Sequence, residues 1–140
     1  MAHLENGATV VGEHKIDTPT PGRPRIKTLT TEKPVIAYQE SLEAIRKADV
    51  IILGPGDLYT STLANLVVDG IKEAVSESSA KLIYVVNLFS KCGQTEQYTA
   101  SQCVEEITRY TGRKPDHVLV NSGDIPAEAV AYYAKAKECP

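Results

Sequence analysis

The sequence predicts an α/β fold: a Rossmann-like parallel sheet with flanking helices, preceded by a short β-hairpin region, and an incomplete example of its kind. Three observations carry this. Continuous apolar runs occur at Val50-Ile-Ile-Leu53, as expected of a strand covered on both faces, and at Leu82-Ile-Tyr-Val-Val86 and Val118-Leu-Val120. Segments of helical period separate and follow them. Each run closes on Gly54, Asn87 or Asn121, so polar or Gly-rich chain collects at one sheet edge. Strands alternating with helices imply parallel pairing and right-handed crossovers.

The elements follow in order. Asn6-Gly7 predicts a type I′ hairpin turn between a Met1–Glu5 stub and an Ala8–Glu13 strand. The stub reads either as a short edge strand or as part of something longer. Ile16–Pro24, rich in Pro, Thr and Gly, reads as a connector, and Arg25–Thr31 as a further edge strand. Arg23, Arg25 and Lys27 cluster there, either touching a phosphate or lying on a solvated face. Residues 1–33 therefore form a hairpin and connector region, and 34–140 the Rossmann-like portion.

Within that portion, Ser41–Ala48 predicts a short amphipathic helix carrying Leu42 and Ile45. In Thr60–Ser78, Leu63, Leu66, Val67, Ile71 and Val75 share a helical face, with a break at Asp69-Gly70 and Asp69 as the second N-cap. Lys81–Asn87 is the next strand. Thr99-Ala-Ser-Gln102 is a capping-box pattern opening a helix that Gly112 ends. Asp116–Asn121 is the third strand. Pro126 fits the first position of a last helix, packed through Val130, Ala131 and Ala134.

Composition excludes several function classes. Of 140 residues, 42% are hydrophobic and 24% charged, which suits a packed globular core. A net charge of −3 argues against nucleic acid as a partner. No apolar run reaches membrane-spanning length, and no secretory leader pattern opens the sequence. Three cysteines without framework spacing suit a reducing, cytoplasmic setting. The three histidines are scattered, so no zinc spacing appears.

The chemistry is expected at the strand ends. Gly54 and Gly56 allow close backbone approach and positive φ. The hydroxyls of Thr60 and Ser61, with free N–H groups at a helix start, would cradle a phosphate or a sugar hydroxyl. The same residues also make a plain turn and N-cap. No Lys follows the glycines, so this is not a Walker loop, and the dinucleotide G-x-G-x-x-G spacing is absent. Asp57 either meets Mg²⁺ carried by a nucleotide ligand or caps a turn. Tyr59 either stacks on a ring or is buried. The long polar loop from Phe89 to Tyr98 holds Ser90, Lys91, Gln94, Thr95 and Glu96. Cys92 there is a candidate nucleophile without a visible base. Asn87 and Asn121 would offer amide donors and acceptors to a ligand.

The segment Ala48-Asp-Val-Ile-Ile-Leu-Gly-Pro-Gly-Asp-Leu-Tyr-Thr-Ser61 resembles the hallmark of the CofD/YvcK-like family. Asn65–Ile71, Tyr84–Leu88, Gly93-Gln-Thr95 and Asp116–Asn121 continue the resemblance over nearly the whole chain. It is closer to the gluconeogenesis-factor branch than to the 2-phospho-L-lactate transferase branch. The first branch implies a regulator that binds a UDP-sugar and influences cell-wall precursor supply and cell shape. The second implies transfer of a phospholactyl group to a deazaflavin, assisted by Mg²⁺. By resemblance Gly54, Gly56, Tyr59, Thr60, Ser61 and Asn65 line the nucleotide-sugar cleft, with Asn87 and Asn121 on its rim. The sequence departs from the family at Asp57, commonly Ser, at Cys92, commonly Pro, and in lacking the Gly-rich phosphate loop that opens family members. It is therefore expected to match a C-terminal portion, to bind rather than catalyse on its own, and to self-associate through an exposed sheet edge. An interaction module without a small ligand is the third reading.

Overall fold

The computed structural model describes residues 1–136 and Glu138. Strands β1 (Ala2–Leu4), β2 (Thr9–Val10) and β3 (Ile26–Leu29) form an antiparallel sheet in the order β2-β1-β3. The Met1–Glu5 stub is thus the central strand of this sheet and not an edge. The expected type I′ turn is replaced by a three-residue loop. Gly7 N donates to Leu4 O at 3.0 Å and Leu4 N to Ala8 O at 2.8 Å, with Gly7 alone at positive φ (85°). The second arm is shorter than expected because Gly12, at φ 98°, ends it, and a helical turn α1 (Glu13–Asp17) occupies part of the expected connector. Ile16 of α1 is buried, which anchors that turn.

The second sheet is parallel and runs β4 (Val50–Leu53), β5 (Lys81–Val85), β6 (His117–Leu119), in that spatial order. Its register sets Ile51 beside Leu82 and Leu53 beside Tyr84. These residues face a helical layer formed by α2 (Gln39–Lys47), α3 (Leu63–Leu66), α4 (Ile71–Glu77) and α5 (Ala100–Thr111), in which α4 packs on α2 and α5. The expectation that β4 is covered on both faces fails. On the opposite face Val50 is 48%, Ile52 63% and Leu119 55% exposed, because no described helix lies over it.

The helix expected over 60–78 is divided. A π-helical turn (Leu58–Thr62) leads into α3, and four residues separate α3 from α4. The second N-cap is Gly70 and not Asp69: Gly70 sits at φ 93°, and a Cβ there would lie 3.2 Å from a Leu42 methyl. The capping box at Thr99 forms as the sequence indicates, with Thr99 N donating to Gln102 Oε1 at 2.8 Å, and Gly112 caps the far end at φ 75°. The last helix, α6 (Ala127–Ala134), starts one residue after Pro126, which serves as its N-cap. It does not pack through Ala131 and Ala134, which are exposed. Tyr133 instead stacks on Phe89, ring centroids 4.2 Å apart.

One core joins both sheets. Ala2, Leu4, Ile26 and Leu29 pack in the same cluster as Leu58, Tyr59, Leu63, Tyr84 and Ile107. Polar ties reinforce it: the Tyr110 hydroxyl accepts from Leu29 N at 2.7 Å, and the Tyr59 hydroxyl lies 3.2 Å from that of Tyr98. No helix among the described residues is long and apolar enough to cross a membrane.

Candidate functional site

A cavity of about 290 Å³ opens at the carboxyl ends of β5 and β6, against the first turn of α5. Gly56, Asn87, Thr95 and Asn121 reach its wall from four different chain segments, over a floor of Tyr84 and Cys103. Parallel strands deliver their loops to one edge, which is why these residues converge. Asn87 Nδ2 donates to Phe89 O at 3.0 Å and Asn121 Nδ2 to Gly123 O at 2.9 Å. Both amides are thereby oriented by their own loops. Thr95, almost fully buried, accepts from Lys91 N at 2.9 Å. Burial pushes both the Tyr84 hydroxyl and the Cys103 thiol above their ordinary ranges, and the two groups lie together. The floor is therefore neutral at neutral pH.

The Gly54–Ser61 loop differs from expectation in how it uses its glycines. Neither Gly54 nor Gly56 has positive φ. A Cβ at Gly56 would stand 3.1 Å from Ser61 Cβ, so the Ser61 side chain would have to give way by a few tenths of an ångström, whereas nothing approaches Gly54. Tyr59 is 1% exposed and belongs to the core, its hydroxyl 3.3 Å from Glu106 and 3.4 Å from Ile26 O. Asn65 turns back onto its own helix, donating to Ser61 O at 2.7 Å. Thr60 donates to Asp17 at 3.3 Å. Gln94, 2% exposed, donates to Asp17 at 3.2 Å and to Thr60 at 3.3 Å. Of the residues singled out by sequence, Gly56, Asn87, Ser90, Thr95 and Asn121 line the cavity. Gly54, Asp57, Tyr59, Thr60, Ser61, Asn65 and Gln94 lie outside its wall.

Lys91 is the residue whose role the sequence did not disclose. Its Nζ lies 3.4 Å from Asp57, 3.6 Å from Asp17 and 3.6 Å from Glu138. Burial pulls this ammonium down, but the carboxylates of Asp57, Asp17 and Glu138 outweigh it, so Lys91 stands above the ordinary lysine value. The partners come from three distant chain segments, so no local pattern could have revealed the cluster. Lys91 also explains how Asp57 is accommodated at the loop. The basic trio likewise resolves into separate roles. Arg23 donates to Lys15 O at 3.0 Å and to Gly93 O at 2.6 Å, and Arg25 sits over the Tyr98 ring. Cys92 has no hydrogen-bonded base among the described residues.

The residues present give a metal little to hold. Among the described residues no group of three or more His, Cys, Asp or Glu could hold one. Asp57, the carboxylate of the loop, is already engaged by Lys91.

Against this geometry the likeness to known proteins is specific. The family model described as 2-phospho-L-lactate transferase CofD matches residues 1–140. The chain belongs to the CofD family. Among its CofD-family relatives, the gluconeogenesis factor of Halalkalibacterium halodurans is 42% identical over 138 residues, spanning 98% of this chain and 42% of the relative. The gluconeogenesis factor of Bacillus subtilis is 39% identical over 133 residues, spanning 94% of this chain and 41% of the relative. A crystal structure from Bacillus halodurans, described as a member of the upf0052 family, superposes with a TM-score of 0.91 at 42% identity, covering 99% of this chain and 44% of that one. The chain thus spans less than half the length of the curated relatives it matches.

Proposed function

We propose that this chain forms part of the ligand site of a regulatory protein of the gluconeogenesis-factor type, and that the ligand is a UDP-sugar. The carrying observation is the convergence of Gly56, Asn87, Thr95 and Asn121 on one cavity. Two oriented amides, a neutral floor and the opening turn of α5 suit the hydroxyls and carbonyls of a sugar or pyrimidine ring. At about 290 Å³ the cavity is at the lower end of the range for small-molecule sites. It accommodates one ring of a nucleotide sugar and leaves the remainder to chain outside the matched portion. A regulatory link to cell-wall precursor supply and cell shape follows from this reading.

Titration calorimetry with UDP-glucose tests the proposal, on this chain and on the Halalkalibacterium halodurans relative. Saturable heat is expected from the relative, with weaker binding by the chain alone. Asn121→Ala, made at the matching position, should weaken binding about tenfold, the equivalent of one lost ligand hydrogen bond. No heat with the relative refutes the reading.

The description of the family model favours a second reading, a 2-phospho-L-lactate transferase activity of the longer protein. It predicts product from a deazaflavin acceptor in the presence of Mg²⁺, detected chromatographically. Absence of product together with UDP-sugar binding decides between the two.

A further inference from the structure

A second cavity, of about 250 Å³, lies where the connector before β3 meets the loop before α5. Arg23, Arg25, Gly93, Gln94, Glu96 and Gln97 wall it, and it shares no wall residue with the cavity at the strand ends. The loop divides the two. It gives Thr95 and Tyr98 to the first cavity, and Gly93, Gln94, Glu96 and Gln97 to the second.

The second cavity carries positive charge that nothing in the chain neutralises. Among the described residues neither Arg23 nor Arg25 forms an ion pair. Both terminal nitrogens of Arg23 donate to neutral carbonyls, those of Lys15 and Gly93, and its buried Nε has no acceptor. Carbonyls fix the guanidinium in place but supply no counter-charge, and a charge taken out of water without one is costly. Arg25 lies over the Tyr98 ring, 5.4 Å from its centroid, which orients this guanidinium and again leaves its charge in place. Glu96 is the one carboxylate of the wall, and it is exposed.

The loop adds donors. Gln97 stands at φ 64°, the only positive φ of a non-glycine residue among the described residues, and there the N–H groups of Glu96 and Gln97 have no backbone acceptor. Left-handed turns of this kind gather successive N–H groups into concavities suited to anions. Gln94, 2% exposed, is held by donation from Nε2 to Asp17 and Thr60, and its Oε1 has no donor. The wall thus combines unmet donors with one unmet acceptor. Sulfate has no proton for such an acceptor, whereas inorganic phosphate still carries one at neutral pH.

We propose that this cavity is a binding site for a phosphate oxyanion that retains a proton, held by Arg23 and Arg25 and separate from the cavity at the strand ends. At about 250 Å³ it falls below the usual range for drug-sized ligands, which suits a phosphoryl group with little attached to it.

Titration calorimetry of this chain with inorganic phosphate, methyl phosphate and sulfate, at constant ionic strength, tests this. Saturable phosphate binding is expected, about tenfold tighter than sulfate, the scale of one unmet hydrogen bond. Methyl phosphate binding as tightly as inorganic phosphate supports the site with a phosphorylated metabolite as its ligand, and weaker binding supports it with free phosphate. Arg25→Gln replaces an exposed side chain and should leave the circular dichroism spectrum unchanged, yet weaken phosphate binding about tenfold or more through loss of a charge-assisted contact. Glu96→Gln removes the carboxylate of the wall and should tighten binding about threefold. Absence of saturable phosphate heat overturns the proposal. So does sulfate binding as tightly as phosphate, affinity that survives Arg25→Gln, or affinity that is lost through Asn121→Ala in the other cavity.

Discussion

Replacing Lys91 by Met removes the ammonium that bridges Asp17, Asp57 and Glu138, while keeping most of the side-chain volume. With contacts of 3.4, 3.6 and 3.6 Å to the same Nζ, those carboxylate oxygens lie within about 7 Å of each other. An ammonium and a carboxylate oxygen at those contact distances attract by roughly 1.2 kcal/mol in bulk water and roughly 4.7 kcal/mol at an effective dielectric of 20, more than the like charges repel across the cluster. Lys91 is 24% exposed, so the site lies between these limits, and solvent screening discounts the sum over pairs. The expected loss is about 2 kcal/mol, measured by urea denaturation at pH 7 and low salt. Lys81, 65% exposed and among the described residues paired only with Asp116, is the matched control and should lose far less as Lys81→Met. The Lys91→Met deficit should shrink in high salt. In the unmodified protein the raised ammonium works in the opposite window. Its stabilisation is complete below the unfolded lysine value and is lost only as pH rises through the higher folded one. Equal stabilities for the two Met variants would refute the clustering argument.

Gly70→Ala forces a left-handed backbone on an L-residue and drives Cβ toward Leu42, so about 2 kcal/mol of stability should be lost by denaturant titration. Thr99→Ala removes the capping box of α5 and should cost about 1 kcal/mol by the same measurement, with little change in helix content. In a spectrophotometric pH titration, Tyr59 and Tyr84 should ionise only as the protein unfolds, since burial raises both well above ordinary tyrosine. Because the unfolded chain releases those protons more readily, stability should fall as pH rises past the ordinary tyrosine value.

The parallel sheet was legible because its strands are short apolar runs closed by Gly54, Asn87 and Asn121, and the α5 caps because Thr99, Gln102 and Gly112 act through local hydrogen bonds. What the pattern could not convey was coverage. Val50-Ile-Ile-Leu53 is as apolar as a strand buried on both faces, yet the described chain covers only one of them. Tyr59 and Asn65 show a related limit at the site. The family resemblance placed both in the cleft, but the π-helical turn at 58–62 carries Tyr59 into the core, and Asn65 bonds back to Ser61. The convergence of Asn87 and Asn121 on one sheet edge was legible because a parallel sheet fixes where strand ends go, whatever the side chains do. Lys91 was not, because its partners meet only after residues 17, 57 and 138 are brought together.

The shared core of the two sheets bears on how this chain can be recombined. A crossover placed at 33/34, where the sequence suggests a boundary, would ask a foreign hairpin to supply Leu4, Ile26 and Leu29 against Tyr59 and Tyr84, and a backbone N–H against the Tyr110 hydroxyl. Chimeras cut there should be insoluble or molten unless those contacts travel with the graft. Junctions within the exposed 121–124 segment avoid that cluster and should be tolerated. The hairpin region is in this sense an inseparable half of one hydrophobic unit.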